Sequence, residues 1–228
     1  MRIRTLSALV LTCVLAGCTD SPAAPQPEGL ALDVTVVADN LDHAWDVATG
    51  PDGTLLVTER RGRVLAIRDG QQRPVQADLG DLFASGETGL MAIALAHDFA
   101  TSRKLFTCQG FQDGATRDVR VVSWTVDANW SQLTRTGTVL SGFPVSSGRH
   151  GGCRILPRPD GTLFVGDGSN RIDRFAPDGR RVGEFHVPAK QSSCPAIGAD
   201  GTLYVTSAAA GLSQQEHAFN PGQGRTYA

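Results

Sequence analysis

One phrase occurs three times in this chain. Pro51-Asp52-Gly53-Thr54-Leu55-Leu56-Val57 returns as Pro159-Asp160-Gly161-Thr162-Leu163-Phe164-Val165 and again as Ala199-Asp200-Gly201-Thr202-Leu203-Tyr204-Val205. Each copy is an Asp-Gly turn feeding a short run of apolar and β-branched residues, which is a hairpin signal. The last two copies stand about 41 residues apart and the first two about 108, room for two or three such units. A period near 40–50 residues with several short strands per unit is that of a β-propeller blade. Further strands are predicted at Val34–Ala38, Val64–Arg68, Lys104–Cys108, Val119–Val126, Gly137–Leu140 and Ile172–Phe175. No long amphipathic helix is written anywhere; Ser213 to Phe219 has room for one or two turns. The fold expected is all-β, a propeller.

Length qualifies that expectation. Six blades need roughly 240–300 residues, and 228 residues with a leader to remove leave fewer. The propeller domain, residues 31–228, therefore reads as a six-bladed type that is incomplete, with four to five blades. A partial propeller leaves strand edges exposed, and those edges are where a homodimer would form. With 41% hydrophobic and 19% charged residues, disordered, collagen-like and coiled-coil readings are out.

The amino terminus reads as a targeting segment. Met1-Arg2-Ile3-Arg4 is a short cationic start and Leu6 to Ala16 a mostly apolar run, too short to span a bilayer. It ends in Leu15-Ala16-Gly17-Cys18, which resembles a bacterial lipobox. Residues 1–17 are then a lipoprotein signal peptide, Cys18 the lipidated residue, and residues 18–30 a flexible tether rich in Pro and Ala. The competing reading is an ordinary secreted protein with an incidental cysteine. The expected location is the bacterial cell envelope, on a membrane surface facing the periplasm or the exterior, held by acyl chains. Without the leader, 19 basic residues face 23 acidic ones, a poor balance for nucleic acid. Three cysteines remain, Cys108, Cys153 and Cys194. An oxidising compartment permits one disulfide among them, and Cys108–Cys153 is the pair favoured. No cysteine or histidine spacing suits structural zinc.

Three landmarks over residues 33–168 carry a family resemblance. Leu41-Asp42-His43-Ala44-Trp45-Asp46-Val47-Ala48 with the first Pro-Asp-Gly-Thr phrase and Thr58-Glu59-Arg60 is the first. Gly86-Glu87-Thr88-Gly89-Leu90-Met91, running on to His97-Asp98-Phe99, is the second. Gly148-Arg149-His150-Gly151-Gly152-Cys153-Arg154-Ile155, then the second phrase and Gly166-Asp167, is the third. Together they resemble the glucose/sorbosone dehydrogenase family, soluble aldose sugar dehydrogenases dependent on pyrroloquinoline quinone (PQQ). The resemblance implies that His150 takes the proton of a sugar C1 hydroxyl while hydride passes to the quinone. An imidazole with a pKa near 6.5 can accept that proton at neutral pH. The family's pattern places Asp167 near that histidine, where it would orient the ring. Glu87 matches a position near the cofactor, and Arg149 and Arg154 are candidates for its carboxylates. PQQ and Ca²⁺ are the cofactors implied, a small-molecule sugar the partner; the residues name no metal ligand. The bland alternatives are a surface-turn histidine, solvated carboxylates and arginines, and, for Trp45 and Trp124, blade-packing aromatics.

Beyond Asp167 the likeness changes. Asn170 to Gly179, Val187 to Gln191, Cys194-Pro195-Ala196 and Leu203 to Ser213 resemble the last blade of the gluconolactonase/senescence-marker family, six-bladed metal-dependent lactonases. That family's metal carboxylates have no match here. Three functions are thus weighed: a PQQ-dependent sugar dehydrogenase, a non-catalytic propeller acting as a binding or scaffold lipoprotein, and a sugar lactonase.

Overall fold

A computed structural model describes residues 34–145, 153–166, 170–209, 212–219 and 222–228. The three repeated phrases all make the same turn in it. Asp52, Asp160 and Asp200 each accept the backbone N–H two residues on, at 3.0–3.1 Å. The glycine after each sits at positive φ (78° to 84°), which costs glycine nothing. The turns join β1 (Ala44–Thr49) to β2 (Leu55–Glu59), β9 (Arg154–Pro157) to β10 (Leu163–Gly166), and β13 (Ser192–Ile197) to β14 (Leu203–Ser207). In each case the phrase links the first strand of a blade to the second.

Among the described residues four blades follow in chain order. Blade one adds β3 (Arg63–Arg68) and β4 (Gln71–Ala77) to β1 and β2. Blade two consists of β5 (Leu90–Leu95), β6 (Lys104–Asp113), β7 (Thr116–Val126) and β8 (Gln132–Phe143). Its first turn carries the short helix α1 (Phe99–Ser102) in place of the Asp-Gly phrase. A two-residue parallel pairing, Gln76 with Gln132 and Ala77 with Leu133, joins these two blades into one eight-stranded sheet. Blade three completes β9 and β10 with β11 (Arg171–Phe175) and β12 (Arg181–His186). Blade four completes β13 and β14 with the two-residue β15 (Thr226–Tyr227). Helix α2 (Gln214–Phe219) occupies the stretch predicted to make one or two turns.

Packing between blades, rather than within them, makes the core. Leu56, Val64, Ala66 and Val75 of blade one meet Leu90, Leu105, Val122 and Trp124 of blade two. Trp124 is fully buried, with its indole N–H donating to Thr107 Oγ1 at 2.8 Å. Trp45 differs from expectation: it is 40% exposed. The strand expected at Val34–Ala38 does not form. Val34 and Val36 are more than 80% exposed, while Ala38 and Leu41 pack on Val57, Leu65 and Ile67. β-Branched residues alone do not make a strand without a partner edge to pair with.

Candidate functional site

The first strands of the blades, β1, β5, β9 and β13, stand side by side, β1 against β5, β5 against β9, and β9 against β13. Their amino-terminal ends open toward one side, opposite the Asp-Gly turns. At that side stand Asp42 and His43 before β1, Glu87 before β5, and Arg154 at the start of β9.

Asp42 and His43 form a bonded pair, His43 Nδ1 to Asp42 Oδ1 at 2.5 Å. Arg61 stands 3.6 Å from the other carboxylate oxygen. The hydrogen bond from His43 comes first and the Arg61 charge adds to it in holding the Asp42 carboxyl below its ordinary pKa. The Asp42 backbone N–H donates to Glu59 Oε1 at 2.8 Å. Glu59 is 2% exposed at the end of β2 and takes two bonds from the Arg63 guanidinium. Those bonds keep Glu59 ionised, its pKa lowered chiefly by Arg63. This is a bidentate pair that locks the turn carrying Arg60 and Arg61.

Blade one also grips the start of blade two. Leu90 N–H donates to the Arg60 carbonyl at 2.9 Å. A Cβ on Gly89 would lie 2.1 Å from that same oxygen, so only glycine allows this approach. Glu87 is exposed on the turn just before, which Ser85 and Thr88 close with reciprocal backbone bonds of 3.0 Å.

Arg154 opens β9 and is 42% exposed, its Nη1 2.6 Å from Asp46 Oδ1. Asp46 belongs to β1, and its other oxygen accepts the Ile93 N–H of β5 at 3.1 Å. Beside it Thr58 Oγ1, fully buried, donates to the Met91 carbonyl at 2.6 Å. One residue before Arg154, Cys153 is disulfide-bonded to Cys108 of β6, with Cα atoms 6.1 Å apart. Cys194 is an exposed free thiol.

Of the residues singled out by sequence, Glu87 and Arg154 stand at this mouth. His150, Arg149, Asp167 and Cys18 lie outside the described residues. Sequence reasoning passed over the carboxylates that organise the mouth, Asp42, Asp46 and Glu59. The signal was present for Asp46: an acidic residue between Trp45 and Val47 in a first strand needs a partner, and a lone arginine opening another first strand is one.

Comparison with known proteins bears on the same residues. A family model described as Glucose / Sorbosone dehydrogenase matches residues 41–184. The aldose sugar dehydrogenase YliI of Escherichia coli is 30% identical over 158 residues, 64% of this chain and 41% of that protein. An L-arabinolactonase of Azospirillum brasilense is 38% identical over 77 residues, 30% of this chain and 26% of that protein. The PQQ-bound aldose sugar dehydrogenase structure from Streptomyces coelicolor superposes with a TM-score of 0.64 at 25% identity, over 77% of this chain and 59% of that one. The chain spans about two fifths of the length of the first curated relatives it matches.

Proposed function

This chain belongs to the glucose/sorbosone dehydrogenase family, and we propose that it oxidises the C1 hydroxyl of an aldose sugar to the lactone. The observation that carries the reading is the meeting of the three family landmarks at one carboxylate: Asp46 of the first accepts the Ile93 N–H of the second and pairs with Arg154 of the third. A fold alone would not assign an activity; the arginines that stand among carboxylates at the mouth add chemistry to it.

PQQ is a flat quinone bearing three carboxylates, and it would supply the acceptor for the hydride leaving C1. The donor set suits such an anion. Arg60, Arg61 and Arg154 are permanent cations at the mouth, Arg60 half-buried and Arg154 with part of its guanidinium exposed. In this reading His150 accepts the C1 hydroxyl proton as the C–H bond gives up its hydride, and Asp167 holds the imidazole in the accepting tautomer. Glu87 accepts hydrogen bonds from bound sugar or cofactor, since an ionised carboxylate cannot donate. For Ca²⁺ the described residues offer no group of three or more His, Cys, Asp or Glu side chains, and no step is derived through it.

The test is dye-linked aldose oxidation by the purified chain with PQQ and Ca²⁺ added, beside His150→Ala. Turnover that falls at least about 100-fold in that variant is expected for a lost general base. No turnover together with no PQQ binding by the folded protein would sink the dehydrogenase. The likeness to an L-arabinolactonase favours a second reading, lactone hydrolysis. Acid release from a sugar lactone on addition of Ca²⁺ or Zn²⁺, without PQQ, would support that one instead. The proposal also places the protein on the bacterial envelope through Cys18. A Cys18→Ala chain would then lose its acyl mass and leave the membrane fraction.

A further inference from the structure

The three repeated phrases fold alike but differ in one hydrogen bond. In blade three Thr162 Oγ1 donates to Asp160 Oδ1 at 2.7 Å, and in blade four Thr202 Oγ1 donates to Asp200 Oδ2 at 2.8 Å. In blade one the aspartate is engaged elsewhere. Asp52 Oδ2 accepts Arg68 Nη1 and the indole N–H of Trp130, both at 3.0 Å. Thr54 is 1% exposed, and its hydroxyl has no hydrogen-bond partner among the described residues. A buried hydroxyl left unpaired is costly, so its presence calls for a reason.

Trp130 reaches Asp52 from the turn between β7 and β8. Its φ is 58°, a region that bulky side chains avoid. Asp127 holds that turn, accepting the Ser131 N–H, the Ser131 hydroxyl and the Gln132 N–H at 2.6–2.9 Å. A Cβ on Gly50 would lie 2.5 Å from the indole, so only glycine admits it. Backbone strain held in this way gathers at functional sites and ligand clamps. Here it borders a cleft of about 600 Å³ between blades one and two, at the Asp-Gly end and away from the mouth. Thr54 and Trp130 line it, together with Arg68, Gln71, Arg73 and Asn129.

We infer that this cleft binds a neutral saccharide, with Thr54, Gln71, Arg73 and Asn129 as its hydrogen-bonding groups. A sugar hydroxyl both donates and accepts, and the lining matches it. Arg73 donates to the Gln71 amide oxygen at 2.8 Å rather than to a carboxylate, which leaves the Gln71 NH₂ and other guanidinium N–H groups as donors. Asn129 and Thr54 can each donate and accept, and the Thr54 hydroxyl finds its partner in the bound sugar. Charge is balanced, so nothing selects an anion. Arg68 and Arg73 stand against Asp52 and Asp69, which lie 3.0 and 3.9 Å from Arg68. The volume falls within the range of small-molecule sites. The cleft shares no residue with the mouth, and the inference stands apart from the dehydrogenase reading.

The experiment is titration calorimetry on the full chain without PQQ. The probes are methyl maltoside and methyl cellobioside, whose blocked anomeric carbon cannot be oxidised at the mouth, beside glucose 6-phosphate. At least one glycoside should bind with a Kd below about 10 mM. Thr54→Val, Arg73→Ala and Asn129→Ala should each weaken it about tenfold. Arg73 and Asn129 are exposed, so their loss leaves the fold intact. Thr54→Val should also leave the free protein at least as resistant to urea as the wild type, because the hydroxyl it removes is unpaired. No binding by either glycoside, or an affinity unchanged in all three variants, overturns the site. Glucose 6-phosphate binding at least about tenfold tighter than both glycosides would make the cleft an anion site, and the inference falls. It falls equally if Thr54→Val binds the glycosides normally and unfolds in less urea, since the hydroxyl is then bonded within the protein.

Discussion

Blades one and two differ from blades three and four in how they are held. The first two share one eight-stranded sheet and strands of up to 12 residues. Among the described residues, thirteen buried side chains form the core between them. Blades three and four have strands of two to six residues. The corresponding cluster between them holds five buried residues, Phe164, Ile172, Val187, Ala189 and Val205. Blade three relies more on charge. Asp173, 5% exposed, accepts from both Arg171 and Arg181, and Glu184 pairs with Arg171, Arg181 and His186. Apolar area scales directly into stability, whereas exposed ion pairs are screened. The lesson is that one blade plan can be stabilised by two kinds of contact, and salt weakens only the exposed part of the second.

The comparison breaks most visibly at its largest side chain. Trp124→Ala should cost about 3–5 kcal/mol, since it leaves a buried cavity and removes the indole donor to Thr107 Oγ1, which keeps only its own bond to Gln109. Val205→Ala in blade four should cost about 1.5 kcal/mol for two lost carbons. Urea unfolding of both variants gives the ratio directly. Equal costs would mean the second pair of blades packs as tightly as the first.

How much of this was legible in the sequence depends on which end of a blade is asked about. The Asp-Gly phrases are local chemistry: an aspartate bonding the N–H ahead of it and a glycine at positive φ require nothing from the rest of the chain. They gave the hairpins of blades one, three and four, and with them the fold. Blade two lacks the phrase and turns through α1 instead, so its first hairpin showed only in its apolar runs. All three phrases lie at the end of the blades opposite the candidate site. The mouth is built otherwise, from side chains far apart in sequence. Asp46 meets Arg154 across 108 residues, and no periodicity announces such a meeting. Val34–Ala38 failed as a strand for the converse reason: its composition is right, but pairing is a long-range property.

Acid separates the regions less strongly but with a definite sign. In blade three Asp160 takes bonds from the Thr162 side chain and N–H and then from Arg174, and its pKa falls to about 2. In blade one Glu59 is lowered chiefly by Arg63. A carboxylate whose folded pKa is depressed adds stability that is present above its unfolded pKa, near 4. That stability is lost as pH falls through the folded value. The chain should therefore lose stability between about pH 4 and pH 2, and Asp160→Asn should lose less across that window. Thermal unfolding at pH 5, 4 and 3 in low salt checks this. A slope unchanged in Asp160→Asn would assign the acid sensitivity to the other carboxylates held below their ordinary pKa, Glu59 and Glu216 among them.

The smallest effect expected is also the most local. Ser213 and Glu216 form a capping box at the start of α2: Ser213 Oγ accepts the Glu216 N–H at 3.3 Å, and Glu216 Oε2 accepts the Ser213 N–H at 2.9 Å. Lys190, just before β13, bonds the other Glu216 oxygen, so the helix is fastened to blade four by its first turn. Ser213→Ala removes one acceptor and should weaken α2 by about 1 kcal/mol. If blade four is as loosely joined to the rest as its short strands suggest, that loss stays there. Hydrogen exchange should quicken over 212–219 and leave β6 and β7 untouched. A fall in protection reaching blade two would show instead that the four blades open as one unit, and that the unequal cores do not make unequal foldons.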